Sequence, residues 1–332
     1  MTMKTVLWTK YGSPDGLIPG EKEIPEPGDR DILIKIAAAS VSAGDCEFRR
    51  LELPLGLSFP MRLYAGWRKP ERLQVLGQEF AGEVVATGKD VSNYKPGDPV
   101  FGTTGMGFGA YSEYIRLPSE PGDAQGILSI KPDNLTFEEA AVLPTAGMEA
   151  IHYLRKASLA EGQNVLIIGA GGSIGTLVLQ LAKSRGASVT AVDSPDKLKM
   201  LRQLGADLVI DYNLEDYTQR DERFDLIIDV VGRKSVLKKM RLLKKQGNYF
   251  LAYAGIKDLF LSLFFKLFTG KRLRIESAGQ SREEMDELTE LAAGGVLKPQ
   301  IDRVFPLDKA AEAHRYAESG SKKGNIVLKV AD

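Results

Sequence analysis

The chain has 332 residues, of which 43% are apolar and 27% charged, proportions that suit a globular protein with room for two cores. Lys plus Arg and Asp plus Glu both number 44, so the chain as a whole has no positive excess with which to hold nucleic acid or an anionic membrane. The single cysteine, Cys46, excludes an internal disulfide framework, and with only two histidines, His152 and His314, a Cys/His zinc cage lacks ligands.

The opening MTMKTVLWTKYGSPDG has no apolar signal-peptide core, and no apolar run reaches the ~20 residues that cross a bilayer, so stable membrane insertion is not expected and the chain reads as cytoplasmic. The first third alternates short strand-like runs (TVLWTKYG, DILIKIAAASV, FAGEVVATG, AYSEYIRLP) with turn signals such as PEPGDRD and YKPGDPV. With no regular helix in evidence, these runs predict a small barrel-like β domain. From about Leu135 the pattern changes. A helix through FEEAAVLPTAGMEAIHYLRKA leads to VLIIG, SIGTLVLQLAKSRG, SVTAVD, PDKLKMLRQLG, DLVIDY, FDLIIDVV, RKSVLKKMRLLKKQG, NYFLAYAG and RLRIES. Near-continuous apolar strands alternating with amphipathic helices predict an α/β unit with a doubly wound parallel sheet. A further helix at SREEMDELTELAAGG, a connection, another helix and the strand NIVLKV complete the chain.

The stretch VLIIGAGGSIGTLVLQLAK, 165–183, reads as a strand, a glycine turn and a helix. In the register that leaves a full helix after the turn, Ala170, Gly172 and Gly175 occupy the three positions of a dinucleotide-binding fingerprint. Gly172 would let the backbone approach a diphosphate, Gly175 would let the helix pack on the sheet, and Ser173 and the helix-start N–H groups would face the phosphates. Asp193 lies about 20 positions on, where a carboxylate binds ribose hydroxyls and repels a 2′-phosphate. Lys197 and Tyr212 follow at positions that suit a phosphate, or serve as a solvated helix lysine and a strand-end tyrosine. Both NADH and NADPH stay open.

The succession AASVSAGD, GQEFAGEVVATGKDVSNYKPGDPVFG, LPTAGMEAI, the glycine turn, LGADLVIDY, FDLIIDVVG and KGNIVLKV resembles the zinc-independent, quinone-oxidoreductase-like branch of the medium-chain dehydrogenase/reductase superfamily over nearly its whole length. The resemblance implies a GroES-like β domain built from both chain ends (1–130 and 279–332) beside a Rossmann domain (131–278), with the active site in the cleft and assembly as a homodimer. Where zinc-dependent relatives have ligands, this chain has Ala43 and Gln78, with Thr145 in the third stretch, and Cys46 follows Asp45 instead of preceding it. No metal is expected. Lacking a Lewis acid, such a site is poorly equipped to ionise an alcohol and better suited to deliver hydride to a polarised enone or quinone.

By the same resemblance, Ser42 and Thr145 lie beside the nicotinamide, and Ala170, Gly171, Gly172, Ser173 and Ile174 hold the diphosphate. Asp193, Lys197 and Tyr212 surround the adenosine ribose, Val231, Ala254 and Gly255 follow later strands, and Asn325 stands at the C-terminal return. Ser42 replaces a frequent Asn, or simply fills a turn. Reduction of an enone needs a proton, for which Tyr64 is a candidate, with Trp67 to stack on a flat substrate; alternatively both anchor a loop. His152 and His314 read as structural. DLFLSLFFKLF, residues 258–268, places Asp258, Ser262 and Lys266 on one stripe of a helix whose other sides are apolar, a segment to be buried in a subunit interface, a lid over an apolar substrate or a membrane surface. The expected function is an NAD(P)H-dependent oxidoreductase acting on a small apolar carbonyl or quinone. The alternatives are an alcohol or aldehyde dehydrogenase and a non-catalytic NAD(P)H-binding sensor.

Overall fold

The computed structural model describes residues 1–53, 56–122, 124–232 and 235–331. A hairpin opens the chain, β1 (Thr2–Trp8) running antiparallel to β2 (Leu17–Glu23). β3 (Asp31–Ser40) carries Ile32, Ile34, Ile36, Ala38 and Ala39 into the core. It is followed by α1 (Ala43–Arg50) and α2 (Ser58–Ala65), then β4 (Glu79–Thr87), β5 (Pro99–Thr103), β6 (Tyr114–Pro118) and β7 (Ile127–Ile130). The two helices correct the expectation of a helix-free first third. Each has eight residues, too few for a periodic pattern to stand out, and α1 is started by local chemistry. Ser42 Oγ accepts the Asp45 N–H at 3.0 Å, and Asp45 Oδ2 accepts the Ser42 N–H at 3.0 Å, a reciprocal cap.

The helix expected from Phe137 divides into α3 (Phe137–Ala141) and α4 (Pro144–Ala157), since Pro144 has no N–H to continue α3 but suits a helix start. Strand and helix then alternate: β8 (Asn164–Ile168), α5 (Ser173–Ser184), β9 (Ser188–Asp193), α6 (Leu198–Gln203), β10 (Leu208–Asp211), β11 (Phe224–Asp229), α7 (Val236–Leu242), β12 (Leu243–Leu251), α8 (Ile256–Phe268) and β13 (Arg272–Arg274). The long helix expected over RKSVLKKMRLLKKQG stops early, because Leu243 already pairs with Phe224 and Gln246, at φ +68°, lies in the irregular start of β12. α9 (Arg282–Ala293), β14 (Ile301–Pro306), α10 (Ala310–Glu318) and β15 (Asn325–Lys329) end the chain, β14 forming where only a connection was expected.

Two compact units result: unit 1 holds 1–145, 279–295 and 299–332, and unit 2 holds 146–278 and 296–298. In unit 1 the sheet runs β14-β15-β3-β4-β5-β7, with β6 also on β3. The last strand thus returns to the first part of the chain, Val327 opposite Ser40. Its core gathers Trp8, Ile34, Phe80, Val100, Tyr111 and Leu328. Unit 2 is a parallel sheet in the order β10-β9-β8-β11-β12-β13, growing outward from β8 on both sides. That doubly wound order puts a switch point between β8 and β11, outside whose carboxyl ends ligands bind in such sheets. Leu166, Ile168, Val192, Ile227, Tyr249 and Leu251 fill its core.

Candidate functional site

The candidate residues of unit 2 stand at or after the carboxyl ends of parallel strands. The turn Gly169–Gly172 follows β8, Asp193 ends β9, Tyr212 follows β10, Val231 follows β11, and Ala254 and Gly255 follow β12. The tight bend after β8 belongs to Gly169, whose φ is +82° and whose missing side chain makes room for Val231. It was absent from the three fingerprint positions, although its place directly after the strand was the signal for it. At Gly175 a Cβ would lie 2.5 Å from the Gly169 carbonyl oxygen and 2.7 Å from Ala170 Cα, so glycine is what lets α5 approach the turn. At Gly172 a Cβ would meet only the Gly169 carbonyl oxygen, at 3.5 Å. Gly172 is also the N-cap of α5, and having no side chain it makes no capping hydrogen bond of its own to that helix. Ala170 is buried and its N–H bonds the Val192 carbonyl at 3.3 Å.

Asp193 is 4% exposed, and its carboxylate is engaged by the chain itself. Oδ2 accepts the Gly171 N–H at 2.7 Å, Oδ1 accepts the Ser194 N–H at 2.8 Å, and Lys197 Nζ lies 3.0 Å from Oδ1. A Cβ on Gly171 would run into Lys197 Cδ at 2.5 Å, so turn, carboxylate and lysine are one packed group. Tyr212 joins them through its N–H to the Asp193 carbonyl at 3.4 Å, with its side chain 40% exposed. Asp229, fully buried, organises the next turn: its Oδ1 accepts the Val231 and Gly232 N–H groups at 3.1 and 2.8 Å, while Tyr249 and Lys239 hold its Oδ2.

In unit 1, Ser42 does fill a turn, as the cap of α1, and Asp45 is wholly buried beneath it. Burial pushes the Asp45 carboxyl up to about 6, against the Ser42 hydrogen bonds that lower it. Glu79 is buried too, and its carboxyl is raised by that burial. It accepts the Thr145 N–H at 2.8 Å and the Ser40 hydroxyl, so a carboxylate closes the start of α4 and leaves the Thr145 side chain exposed. The roles of Asp45 and Glu79 were missed by sequence reasoning; an acidic residue inside an otherwise apolar run, as in GQEFAGEVV, was the available signal. Asn325 is buried, its side-chain amide donating to the Gln300 carbonyl at 3.0 Å. Tyr64 lies in the last turn of α2, 46% exposed, with its hydroxyl 3.5 Å from the Met106 carbonyl, and Trp67 is 57% exposed beside Phe59.

His314 is a core residue: Tyr111 Oη lies 3.1 Å from Nε2, Cys46 Sγ lies 3.4 Å from Nδ1, and burial lowers its pKa to about 3. The Cys46 thiol is pushed up to about 12 by burial and is no nucleophile. Among the described residues no group of three or more His, Cys, Asp or Glu is arranged to hold a metal ion.

Residues 28–121 match the family model of the alcohol dehydrogenase GroES-like domain, and residues 204–328 that of zinc-binding dehydrogenases. A 2-methylene-furan-3-one reductase of Solanum lycopersicum is 32% identical over 338 residues, which cover 98% of this chain and 79% of that protein. The chain belongs to the medium-chain dehydrogenase/reductase superfamily. Within that superfamily it is similar to an NADPH-dependent alkenal/one oxidoreductase, chloroplastic, of Arabidopsis thaliana, 28% identical and matched over 98% of this chain and 79% of the other. The solved quinone oxidoreductase of Coxiella burnetii superposes with a TM-score of 0.86 at 29% identity, over 100% of both chains. The GroES-like β unit made from both chain ends and the doubly wound unit are thus the medium-chain oxidoreductase fold, as the resemblance implied.

Proposed function

We propose that this oxidoreductase uses NADPH to reduce quinones or α,β-unsaturated carbonyls, works without zinc and resides in the cytoplasm. The observation that carries the reading is the glycine turn that starts α5 at the switch point of the sheet, with the Asp193–Lys197 pair at its side. The residues fit a dinucleotide. Gly172, Ser173 and Ile174 offer a helix start and open space to a diphosphate, and Lys197 and Tyr212 offer a cation and a hydroxyl to a 2′-phosphate. Because Lys197 neutralises Asp193 and the chain already uses both carboxylate oxygens, the repulsion expected of a second-strand acid is offset. Val231, Ala254 and Gly255 extend the same row of strand ends. The bound cofactor supplies the hydride. In unit 1, Thr145 stands exposed at the start of α4, suited to a nicotinamide amide or a substrate oxygen, whereas the Ser42 hydroxyl is already engaged with Asp45 at the start of α1; Asn325 fixes the return strand, and Tyr64 is the candidate proton donor.

The donor set does not suit zinc. Ala43, Gln78 and Thr145 stand at the ligand positions implied by resemblance, and Asp45 and Glu79 are spent on Ser42, Ser40 and Thr145. The names of the tomato and Arabidopsis relatives support an enone, and that of the Coxiella protein a quinone. The test is NADPH oxidation with a panel of quinones, enones and aldehydes, beside metal analysis and NADPH titration of Gly172→Asp. Asp is a good N-cap at this extended position, so the variant folds, while its carboxylate sits where the diphosphate should be. Turnover of quinone or enone by metal-free protein, lost in Gly172→Asp together with NADPH uptake, is the expected result. Bound zinc with alcohol turnover, or cofactor binding without turnover of any acceptor, would replace the reading with a dehydrogenase or a sensor.

A further inference from the structure

Unit 2 buries a complete ion pair at the end of a strand. Asp229, at the end of β11, Lys239 of α7 and Tyr249 of β12 show no exposed surface. The Asp229 carboxylate divides its work between its two oxygens. Oδ2 accepts the Tyr249 hydroxyl at 2.8 Å and pairs with the Lys239 ammonium, whereas Oδ1 accepts the N–H groups of Val231 and Gly232. Taking two charges out of water is costly, and an apolar pair of similar volume is often as stable or more so. Such a pair is therefore a poor device for stability alone, and what it holds becomes the question.

It holds the backbone after β11. Gly232 has φ +69°, and a Cβ there would lie 2.9 Å from Tyr253 Cβ, so this turn has little freedom to change. The Val231 side chain fills the room left by Gly169, where a Cβ would lie 2.4 Å from Val231 Cγ2. The Val230 N–H donates to the Ile168 carbonyl at 3.1 Å, and the Ala252 N–H to the Asp229 carbonyl at 3.0 Å. The ends of β8, β11 and β12 are thus tied together, with Asp229 in the middle.

We propose that Lys239 is a positioning residue for the nicotinamide cofactor. Its ammonium balances the Asp229 charge; Asp229 fixes the Val231–Gly232 backbone and, through Val231, the glycine turn that receives the diphosphate. The proposal rests on the NAD(P)H reading above. Neither charged side chain is exposed, so neither touches the cofactor and the effect runs through the turn. Because a diphosphate is common to both nucleotides, NADH and NADPH should be affected alike, in contrast with a change at Lys197.

Fluorescence titration and steady-state kinetics test it, at a temperature where circular dichroism shows each variant folded. Lys239→Met leaves a buried carboxylate without its cation, and the turn it holds should yield. Kd and KM for NADPH and NADH should rise together roughly tenfold, the scale on which residues remote from a ligand modulate its binding, with kcat at saturating nucleotide within about twofold. Asp229→Asn combined with Lys239→Met removes both charges and keeps an amide oxygen for the Val231 and Gly232 N–H groups, so both affinities should return to within about threefold of the wild type. Should Lys239→Met not fold, Tyr249→Phe, which removes one hydrogen bond from Oδ2 and spares the ion pair, should still raise both dissociation constants about threefold. Unchanged dissociation constants in Lys239→Met or, where only that variant folds, in Tyr249→Phe would overturn the proposal, as would a loss that the double variant does not restore. A wild-type chain that binds neither nucleotide would sink the cofactor reading itself, an outcome read without any variant.

Discussion

Lys197 Nζ and Asp193 Oδ1 are 3.0 Å apart and almost fully shielded from solvent, so neither charge is easily spared. The pair explains why the sequence alone left the cofactor open: an acid at the end of the second strand and a lysine four residues on argue for opposite cofactors until their contact is seen. In the fold the acid serves the glycine turn and the lysine offsets it. Lys197→Met leaves Asp193 negative beside the proposed ribose position, which penalises a 2′-phosphate far more than a hydroxyl. NADPH affinity is expected to fall about tenfold to a hundredfold, the range of a lost charge-assisted hydrogen bond, with NADH affinity changed less than about threefold. Fluorescence titration of both nucleotides measures it. Equal losses for the two would remove Lys197 from phosphate recognition.

At the scale of elements, strands with continuous apolar runs and the amphipathic α5 and α9 were legible from residue pattern, because burial on both faces or on one stripe leaves a period in the sequence. α1 was not, because what starts it is the reciprocal Ser42–Asp45 cap, in which Asp45 looks like any surface acid until it is seen to be fully buried. Nor was the outward face of α8, where Phe260, Phe264 and Phe268 stay exposed within the chain, since composition tells how apolar a helix is and not which side of it meets the sheet. The α1 cap has a pH signature. Asp45 has a folded-state pKa of about 6, above the value near 4 of an unfolded chain, so folding favours its protonated form. Its contribution is therefore fully present at acid pH and is lost as pH rises through about 6, a loss of about 2–3 kcal/mol between pH 4 and 7. Asp45→Asn keeps an acceptor for the Ser42 N–H and cannot ionise, so its urea-unfolding free energy should fall correspondingly less over that interval. Parallel profiles for the two proteins would refute the assignment.

Across the whole molecule the balance of 44 against 44 conceals a separation of charge. Unit 2 contains 22 Lys or Arg and 14 Asp or Glu, whereas unit 1 contains 22 and 30, so a chain with no net charge consists of one unit near +8 and one near −8. The total alone offers no positive excess, whereas the cations of 233–274 all fall within unit 2. Fields of this kind act over about 10 Å at 0.1 M salt, so a resin or polyanion meeting unit 2 responds to its local charge, with the compensating acids felt only weakly. The neutral protein should therefore be retained on a cation-exchange column at pH 7.5 in low salt and released between about 0.1 and 0.3 M salt. Exchanging three exposed cations, in Lys238→Glu, Arg241→Glu and Lys245→Glu together, lowers the unit from about +8 to +2 and should send the protein through the column unretained. Flow-through of the wild-type chain, or retention that survives the triple substitution, would show that the basic cluster does not govern how this molecule meets an anionic surface.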